Sequence, residues 1–267
     1  MRSPLTKAPR LQQIVAVLLL SLASCDSESD RVLEETFERL YTIQPNTDIR
    51  IQNGDGAVLV YGSNTNEMRV HATKKAYSRT RLKEIAIDVS VQPTFVSIKV
   101  RLPPKPTWAL FDRSGTVDCT IVVPATTNIS QLRLDAGEVF VDGMRGPGVH
   151  AQLAAGRMVV HNCFTDVDLA LQRGNLTISY DWWEHGTFSV QTNIVRGNAW
   201  AFFPSDAVFR LVAETLHGKL ASDFDDTAAQ TAPAGGKKIE TLVHGGGHAA
   251  IKVRMANGDI KIVEANP

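Results

Sequence analysis

The sequence predicts an all-β fold, a β-solenoid of single-stranded β-helix type whose rungs are about 20 residues long. Three observations carry this expectation. Short runs of alternating apolar and polar residues follow one another between Gly, Asn, Pro and Ser, the pattern of half-buried strands separated by turns. Helical periodicity is confined to two short stretches, Arg31 to Leu40 and Tyr77 to Glu84. From Ile129 onward a glycine recurs at a nearly constant step ahead of an alternating strand.

The first element is a targeting segment, residues 1–24. Arg2, Lys7 and Arg10 precede an apolar stretch from Ile14 to Leu22 that only Ser21 interrupts. Such a run is short for a bilayer span and fits a secretory signal. It ends in Leu22-Ala23-Ser24-Cys25, which resembles the lipobox of bacterial lipoproteins. The resemblance implies cleavage before Cys25 and attachment of lipid, palmitate included, to that residue. An ordinary cleaved signal and an uncleaved anchor are the alternatives. Several acyl chains on Cys25 would anchor the protein stably, where one chain binds only marginally. Residues 25–31 then form a tether. Extended chain spans at most about 3.3–3.6 Å per residue, so the domain is expected close to its membrane. Asp26 is similar to an inner-membrane retention signal of enterobacteria-like systems. The expected location is therefore the periplasmic side of the inner membrane, with the outer membrane or cell surface as alternatives.

Residues 32–104 form an N-terminal strand region. DIRIQ, AVLVYG, MRVHATK, IAIDVSV and FVSIKV alternate in turn, and QNGDGAVLVYG already has the glycine-then-strand form of the later repeat. Residues 105–115, preceded by Pro103 and Pro104 and containing Pro106, read as a linker loop. TIVVP opens the rungs, which occupy 116–267.

The repeat is carried by Gly137, Gly156, Gly174, Gly197, Gly218 and Gly258, at steps of 19, 18, 23, 21 and 40, the last close to two periods. Two residues after each glycine stand Val139, Met158, Leu176, Ala199, Leu220 and Ile260. Three before stand Leu134, Leu153, Leu171, Ile194, Thr215 and Met255. Seven before stand Ser130, Val149, Val167, Val190, Leu211 and Ile251, with mostly polar residues between these columns. Each rung thus offers two strands of period two that turn apolar side chains to one interior, and only stacking can bury that face. The last repeat, in ANGDIKI, reads as the terminal rung with an edge to protect. The long step contains a polar Ala/Gly/Pro/Asp loop, within 223–238, expected to be mobile.

Several segments in this order carry a resemblance: DIRIQNGDGAVLVYG with MRVHATKKA, TIVVPATTNISQLRLDAGEVFVDG, then HGKLASDF and HGGGHAAIKVRMANGDIKI. They resemble the strands of the bacterial putative-adhesin family, a β-solenoid domain of unknown function. The likeness spans most of Val32 to Val263 and departs at a Trp-Trp insert and in having fewer Gly-Asp pairs. It implies adhesin-like behaviour at the cell envelope and offers no catalytic residue to carry over.

Composition narrows the function classes. Apolar residues make up 43% of the chain, enough for a sizeable core. Lys and Arg number 28, as do Asp and Glu, so no basic excess points to nucleic acid. Removing the signal leaves 25 basic against 28 acidic residues. Cys119 and Cys163 sit in strand-like runs and read as buried free thiols rather than a disulfide.

Candidate site residues are few. Tyr180-Asp-Trp-Trp-Glu-His185 lies where one repeat step lengthens to 23. Trp182 and Trp183 could stack on a sugar ring while Asp181 and Glu184 accept its hydroxyls, or one of the pair could cap the interior or pack on a neighbouring loop; the second reading is favoured. Trp200 continues an outward column of Phe140, Val159 and Thr177, which is either a contact surface or, as expected, covered by the N-terminal half. His244 and His248 flank three glycines and no third ligand accompanies them, so the stretch reads as a tight turn; neither metal nor cofactor is expected. Asp166 and Asp168 flank an inward Val167, as paired carboxylates do in polysaccharide-cleaving β-helices, but with Asp223, Asp225 and Asp226 they read as solvated surface. No nucleophile elbow and no phosphate-binding loop is present.

These observations predict a non-catalytic envelope lipoprotein that binds or scaffolds a glycan or protein partner through a rigid solenoid surface. The alternative is a polysaccharide-binding or polysaccharide-cleaving β-helix with Asp166, Asp168, Trp182 and Trp183 at its site. Self-association through an uncapped end is a third expectation.

Overall fold

The computed structural model describes residues 31–104, 115–224, 230–231 and 235–265. The signal 1–24, Cys25, the tether to residue 30, linker residues 105–114, and 225–229 and 232–234 of the 223–238 loop lie outside the described residues.

The described chain is all-β. It forms β1 (Leu33–Thr42), β2 (Asp48–Ser63), β3 (Glu67–Ala76), β4 (Ala86–Gln92), β5 (Phe95–Arg101), β6 (Thr116–Pro124), β7 (Asn128–Asp142) and β8 (Val149–His161). It continues through β9 (Val167–Ser179), β10 (Ser189–Pro204), β11 (Phe209–His217), β12 (Leu220–Ser222), β13 (Gln230–Thr231), β14 (Lys237–Val243), β15 (Ala249–Asn257) and β16 (Ile260–Ala265). All join one large open sheet. A helix at Arg79–Glu84, capped by the Ser78 side chain, matches one helical stretch of the sequence. The other, Arg31 to Leu40, is instead the strand β1, paired antiparallel with β3 from Leu33↔Ala76 to Thr42↔Glu67. An isolated helix of ten residues is marginal, and β3 supplies backbone partners along the whole stretch.

The middle of the sheet is parallel: β2, β7, β8, β9, β10, β15 and β11 lie side by side. Gly56, Gly137, Gly156, Gly174 and Gly197 stand directly opposite one another. Gly258 and Gly218 continue the column. Their φ angles run from 119° to 159°, in the region that favours glycine. Space forbids anything larger as well: a Cβ on Gly156 would lie 1.8 Å from the Gly137 carbonyl oxygen, and one on Gly197 1.6 Å from that of Gly174.

The glycine also shifts the phase of alternation. Strict period two would turn the residues three before and one after it to the same side, yet the buried ones are three before and two after. Leu134, Leu153, Leu171, Ile194, Met255 and Thr215 are buried in the first arm of each long strand. Val139, Met158, Leu176, Ala199, Ile260 and Leu220 are buried in the second. Both arms therefore face one interior, where Met144, Cys163 and Phe188 from the connections pack with Phe203 of β10 and Phe209 of β11.

Three sequence-based expectations change. A register shift in β7 puts Ile129, not Ser130, in the inward column opposite Val149; Ser130 Oγ donates to the Ile49 carbonyl instead. The last repeat is not the terminal one. β15 and β16 run between β10 on one side and β11 with β12 on the other. The N-terminal half does not lie over the outward column at Phe140 and Trp200. It extends the same sheet, β5 and β6 pairing with β2 on the side away from the later rungs. Both ends of the parallel stack are closed by antiparallel strands, β4 on β5, β3 and β1 on β6, and β14 on β11.

Cys119 and Cys163 are free and buried, as the sequence suggested. Burial pushes both thiols up to about 12 from 9.0.

Candidate binding surface

The first arms carry two outward columns that cross the strands. One runs Arg50, Gln131, His150, Asp168, Gln191, Lys252, Val212. The other runs Gln52, Arg133, Gln152, Ala170, Asn193, Arg254, Glu214. Each residue points outward because its neighbours along the strand point into the core. Small outward residues, Ala154, Ala170 and Ala256, leave hollows between the longer side chains.

Three hollows lie along these columns. One of about 520 Å³ is lined by Arg50, Gln131, His150 and Asp168. A second, about 250 Å³, lies between Arg133, Asp135 and Gln172 and shares Gln152 and Ala170 with the first. The third, about 420 Å³, is lined by Asn193, Val195, Glu214, Leu216, Arg254 and Ala256. Asn193 is the register partner of Ala170, so the third hollow adjoins the other two, and the row of three across the sheet is here called the trough. From β2 to β11 it crosses seven strands, roughly 29 Å at the usual strand spacing.

Each carboxylate lining the hollows has a basic side chain beside it, while Lys252 of the first column forms no ion pair among the described residues. Arg133 meets Asp135 at 3.4 Å, His150 meets Asp168 at 3.8 Å and Arg254 meets Glu214 at 3.9 Å. Arg50 lies over the Phe95 ring at 5.0 Å. The amides are not spent: the side chains of Gln131, Gln152, Gln172, Gln191 and Asn193 hydrogen-bond to nothing among the described residues.

The three tryptophans singled out by sequence do not come together. Trp183 packs into the interior, its ring 5.4 Å from Phe209 and 5.6 Å from both Tyr180 and Phe188. It caps the core, the reading favoured above. Trp182 is 47% exposed and donates from Nε1 to Glu184 at 2.9 Å. Glu184 also accepts from Arg145 at 2.8 Å, and Arg145 lies over the Phe164 ring at 4.5 Å. Trp200 stands on the outer face of the second arms, half-buried, in one row with Thr177, Val159 and Phe140. Phe140 in turn meets Tyr61 with ring centroids 5.4 Å apart.

The candidate carboxylates also separate. Asp166 Oδ1 accepts from the Ser189 amide at 2.7 Å and its hydroxyl at 2.9 Å, capping a turn. Asp168 faces His150 in the trough. Asp223 accepts from the Glu264 amide, while Asp225 and Asp226 lie outside the described residues. Among the described residues no group of three His, Cys, Asp or Glu side chains is placed to hold a metal ion. His244, at φ 47° in the turn before β15, pairs through Nδ1 with the Ala207 carbonyl at 2.8 Å.

One cluster escaped the sequence reading. His161 Nδ1 meets Asp142 at 2.9 Å, and its Nε2 meets Asp181 at 3.0 Å. Hydrogen bonds from His161, then from Asn162, hold the Asp181 carboxyl below its ordinary value. The signal was available: 142, 161 and 181 are separated by 19 and 20, the step of the repeat itself.

No protein family profile matches the chain, and no curated protein matches it. Solved structures are similar at a distance. A putative cell adhesion protein from Clostridium sporogenes is 11% identical, with 86% of this chain and 100% of that one covered and a TM-score of 0.49. A putative adhesin from Bacteroides fragilis is 10% identical over 86% and 97% of the two chains, TM-score 0.32. A putative lipid binding protein from Parabacteroides distasonis is 9% identical over the same shares, TM-score 0.22. Likenesses this distant carry no functional argument. No helix among the described residues is long and apolar enough to cross a membrane.

Proposed function

We propose that the chain is a β-solenoid lipoprotein of the bacterial envelope, held by acylated Cys25, that binds or scaffolds a partner without catalysis. The observation that carries the reading is the trough: free amides and paired charges set in rows on a ladder of hydrogen-bonded strands. Such a surface is preorganised, so weak contacts repeated from rung to rung sum without a large ordering cost. Fold alone does not specify function, and the reading rests on these side chains. Periplasmic display from the inner membrane is the placement that Asp26 supports, with the outer membrane or cell surface as alternatives.

A polysaccharide-cleaving enzyme has less support. Two carboxylates would have to flank one bond, and Asp166 is committed to Ser189 while Asp168 faces His150. Edge-to-edge self-association is also less favoured. β1 carries Glu34, Glu35, Glu38 and Arg39, charges of the kind that blunt a strand edge, and β13 covers the start of β14 at the other end.

Metabolic labelling with palmitate, followed by membrane fractionation and co-sedimentation with isolated envelopes, tests the proposal. Label and membrane association should vanish in Cys25→Ser, and the wild-type protein should bring envelope material down. Label retained in Cys25→Ser, or no capture of envelope material by the wild type, refutes it.

A further inference from the structure

We propose that the trough is a binding site for an extended, uncharged polysaccharide lying across the strands. The inference rests on the binding reading above and names the ligand class. Direction comes first. The trough repeats at the strand spacing of about 4.8 Å, close to the advance of one sugar ring along an extended glycan. A linear ligand that crosses the rungs therefore meets an equivalent row at each unit. A peptide strand would instead seek free backbone at a sheet edge, and every strand beneath the trough from β7 to β15 is paired on both sides.

Charge then selects among linear polymers. The side chains lining the three hollows include Arg50, Arg133 and Arg254 against Asp135, Asp168 and Glu214, equal numbers of each sign. A polyanion, whether nucleic acid or acidic glycan, would meet three carboxylates, two of them already facing Arg133 and Arg254. A neutral chain rich in hydroxyls meets no such cost.

The unspent groups fit that chemistry. A side-chain amide offers both donors and an acceptor, as a sugar hydroxyl offers both. Gln131, Gln152, Gln172, Gln191 and Asn193 present five such groups on four neighbouring strands. At one end of the trough the lining changes: Val195 is 54% exposed, Leu216 is 39% exposed, and Ala256 lies between them. That apolar floor suits the C–H face of a terminal ring, while the amides take the hydroxyl edges of the units before it. The aromatic row at Phe140 and Trp200, on the other outer face, is no part of the site.

The test uses full-length protein in detergent against cello-, manno- and chito-hexaose, with alginate and hyaluronan oligosaccharides as the anionic set. At least one neutral hexasaccharide should bind. Gln152→Ala combined with Asn193→Ala should weaken it at least about fivefold, two hydrogen-bonding groups being lost. Trp200→Ala should leave it unchanged, and added salt should alter it little. Gln152 and Asn193 are exposed and Trp200 is half-buried, and equal thermal midpoints confirm that the variants fold. Binding confined to the anionic set, or binding lost in Trp200→Ala and kept in the double variant, overturns the assignment. So does failure of every glycan to bind. If envelope material still sediments with the protein in that case, the ligand class falls and the binding function stands; if that capture fails too, both fall.

Discussion

Gly174→Ala puts the stacked register to its most direct test. The glycine adopts φ 139°, and a Cβ there would lie 1.7 Å from the Gly156 carbonyl oxygen, 2.8 Å from the carbonyl carbon and 3.0 Å from the amide nitrogen. Relief to an ordinary contact of about 3.4 Å needs β8 and β9 to part by about 1.7 Å, a third of the normal strand spacing. Two or three ladder hydrogen bonds at the corner would break, each worth about 0.5–1.5 kcal/mol net. The backbone conformation adds about 1–3 kcal/mol for a residue with a side chain. The expected loss is roughly 3–6 kcal/mol, a large share of the ~5–15 kcal/mol typical of a domain. For a chain of this size that is a fall in Tm of roughly 10 °C or more. Gly148→Ala is the control within the same stack, since its Cβ would meet nothing nearer than the Asp166 carbonyl oxygen at 3.4 Å. It should shift stability by less than about 1 kcal/mol in either direction. Thermal unfolding followed by circular dichroism reads both variants. Equal midpoints for Gly174→Ala and wild type would refute the glycine-on-glycine contact and with it the order of rungs built on it.

The tryptophan pair and the thiols supply further predictions. Trp183→Ala, which empties a place among Tyr180, Phe188 and Phe209, should cost about 3–5 kcal/mol in urea unfolding. Trp182→Ala, on the exposed side, should cost under about 1 kcal/mol; equal costs would contradict the division of the pair. Cys119 and Cys163 should resist a thiol reagent at pH 8 in the native protein and react once urea is added, because burial holds both in the protonated form. The same burial fixes a pH dependence. The folded thiols titrate near 12 and the unfolded ones near 9.0, so above pH 9 the unfolded chain binds fewer protons than the folded one. The thiols' contribution is intact below pH 9 and declines between pH 9 and 12. A thermal midpoint in Cys119→Ala that falls over that window as steeply as the wild type's would show that this thiol adds nothing to the slope.

Much of the architecture was legible because its determinants are local and repeated. Alternation, turn residues and a glycine every rung mark strands wherever they occur, and the columns at Leu134 and Val139 recur in the structure as buried ladders. Ser130 was misplaced because a bulge of one residue leaves the composition of the column unaltered and moves only the phase. Arg31 to Leu40 looked helical because Leu33, Phe37 and Tyr41 recur at a spacing of four, and only pairing with β3 decides otherwise. The candidate site was less legible. Trp182 and Trp183 are neighbours in an insert without periodicity, so the turn they occupy, and not their type, sends one into the core and the other into water.

The sequence by itself determined that the chain is all-β, where its long strands bend and which side chains of each rung face inward, because backbone sterics at glycine and burial of alternate residues act within a single rung. The tertiary structure decided the order of the rungs. Every rung presents the same glycine and the same apolar columns to its neighbours, so the register alone fits β11 beside β10 as well as it fits β15 there. Packing of whole connections set the last repeat between its predecessors and placed antiparallel strands over both ends. That order also made the third hollow, since Arg254 and Ala256 of β15 stand between Asn193 of β10 and Glu214 of β11.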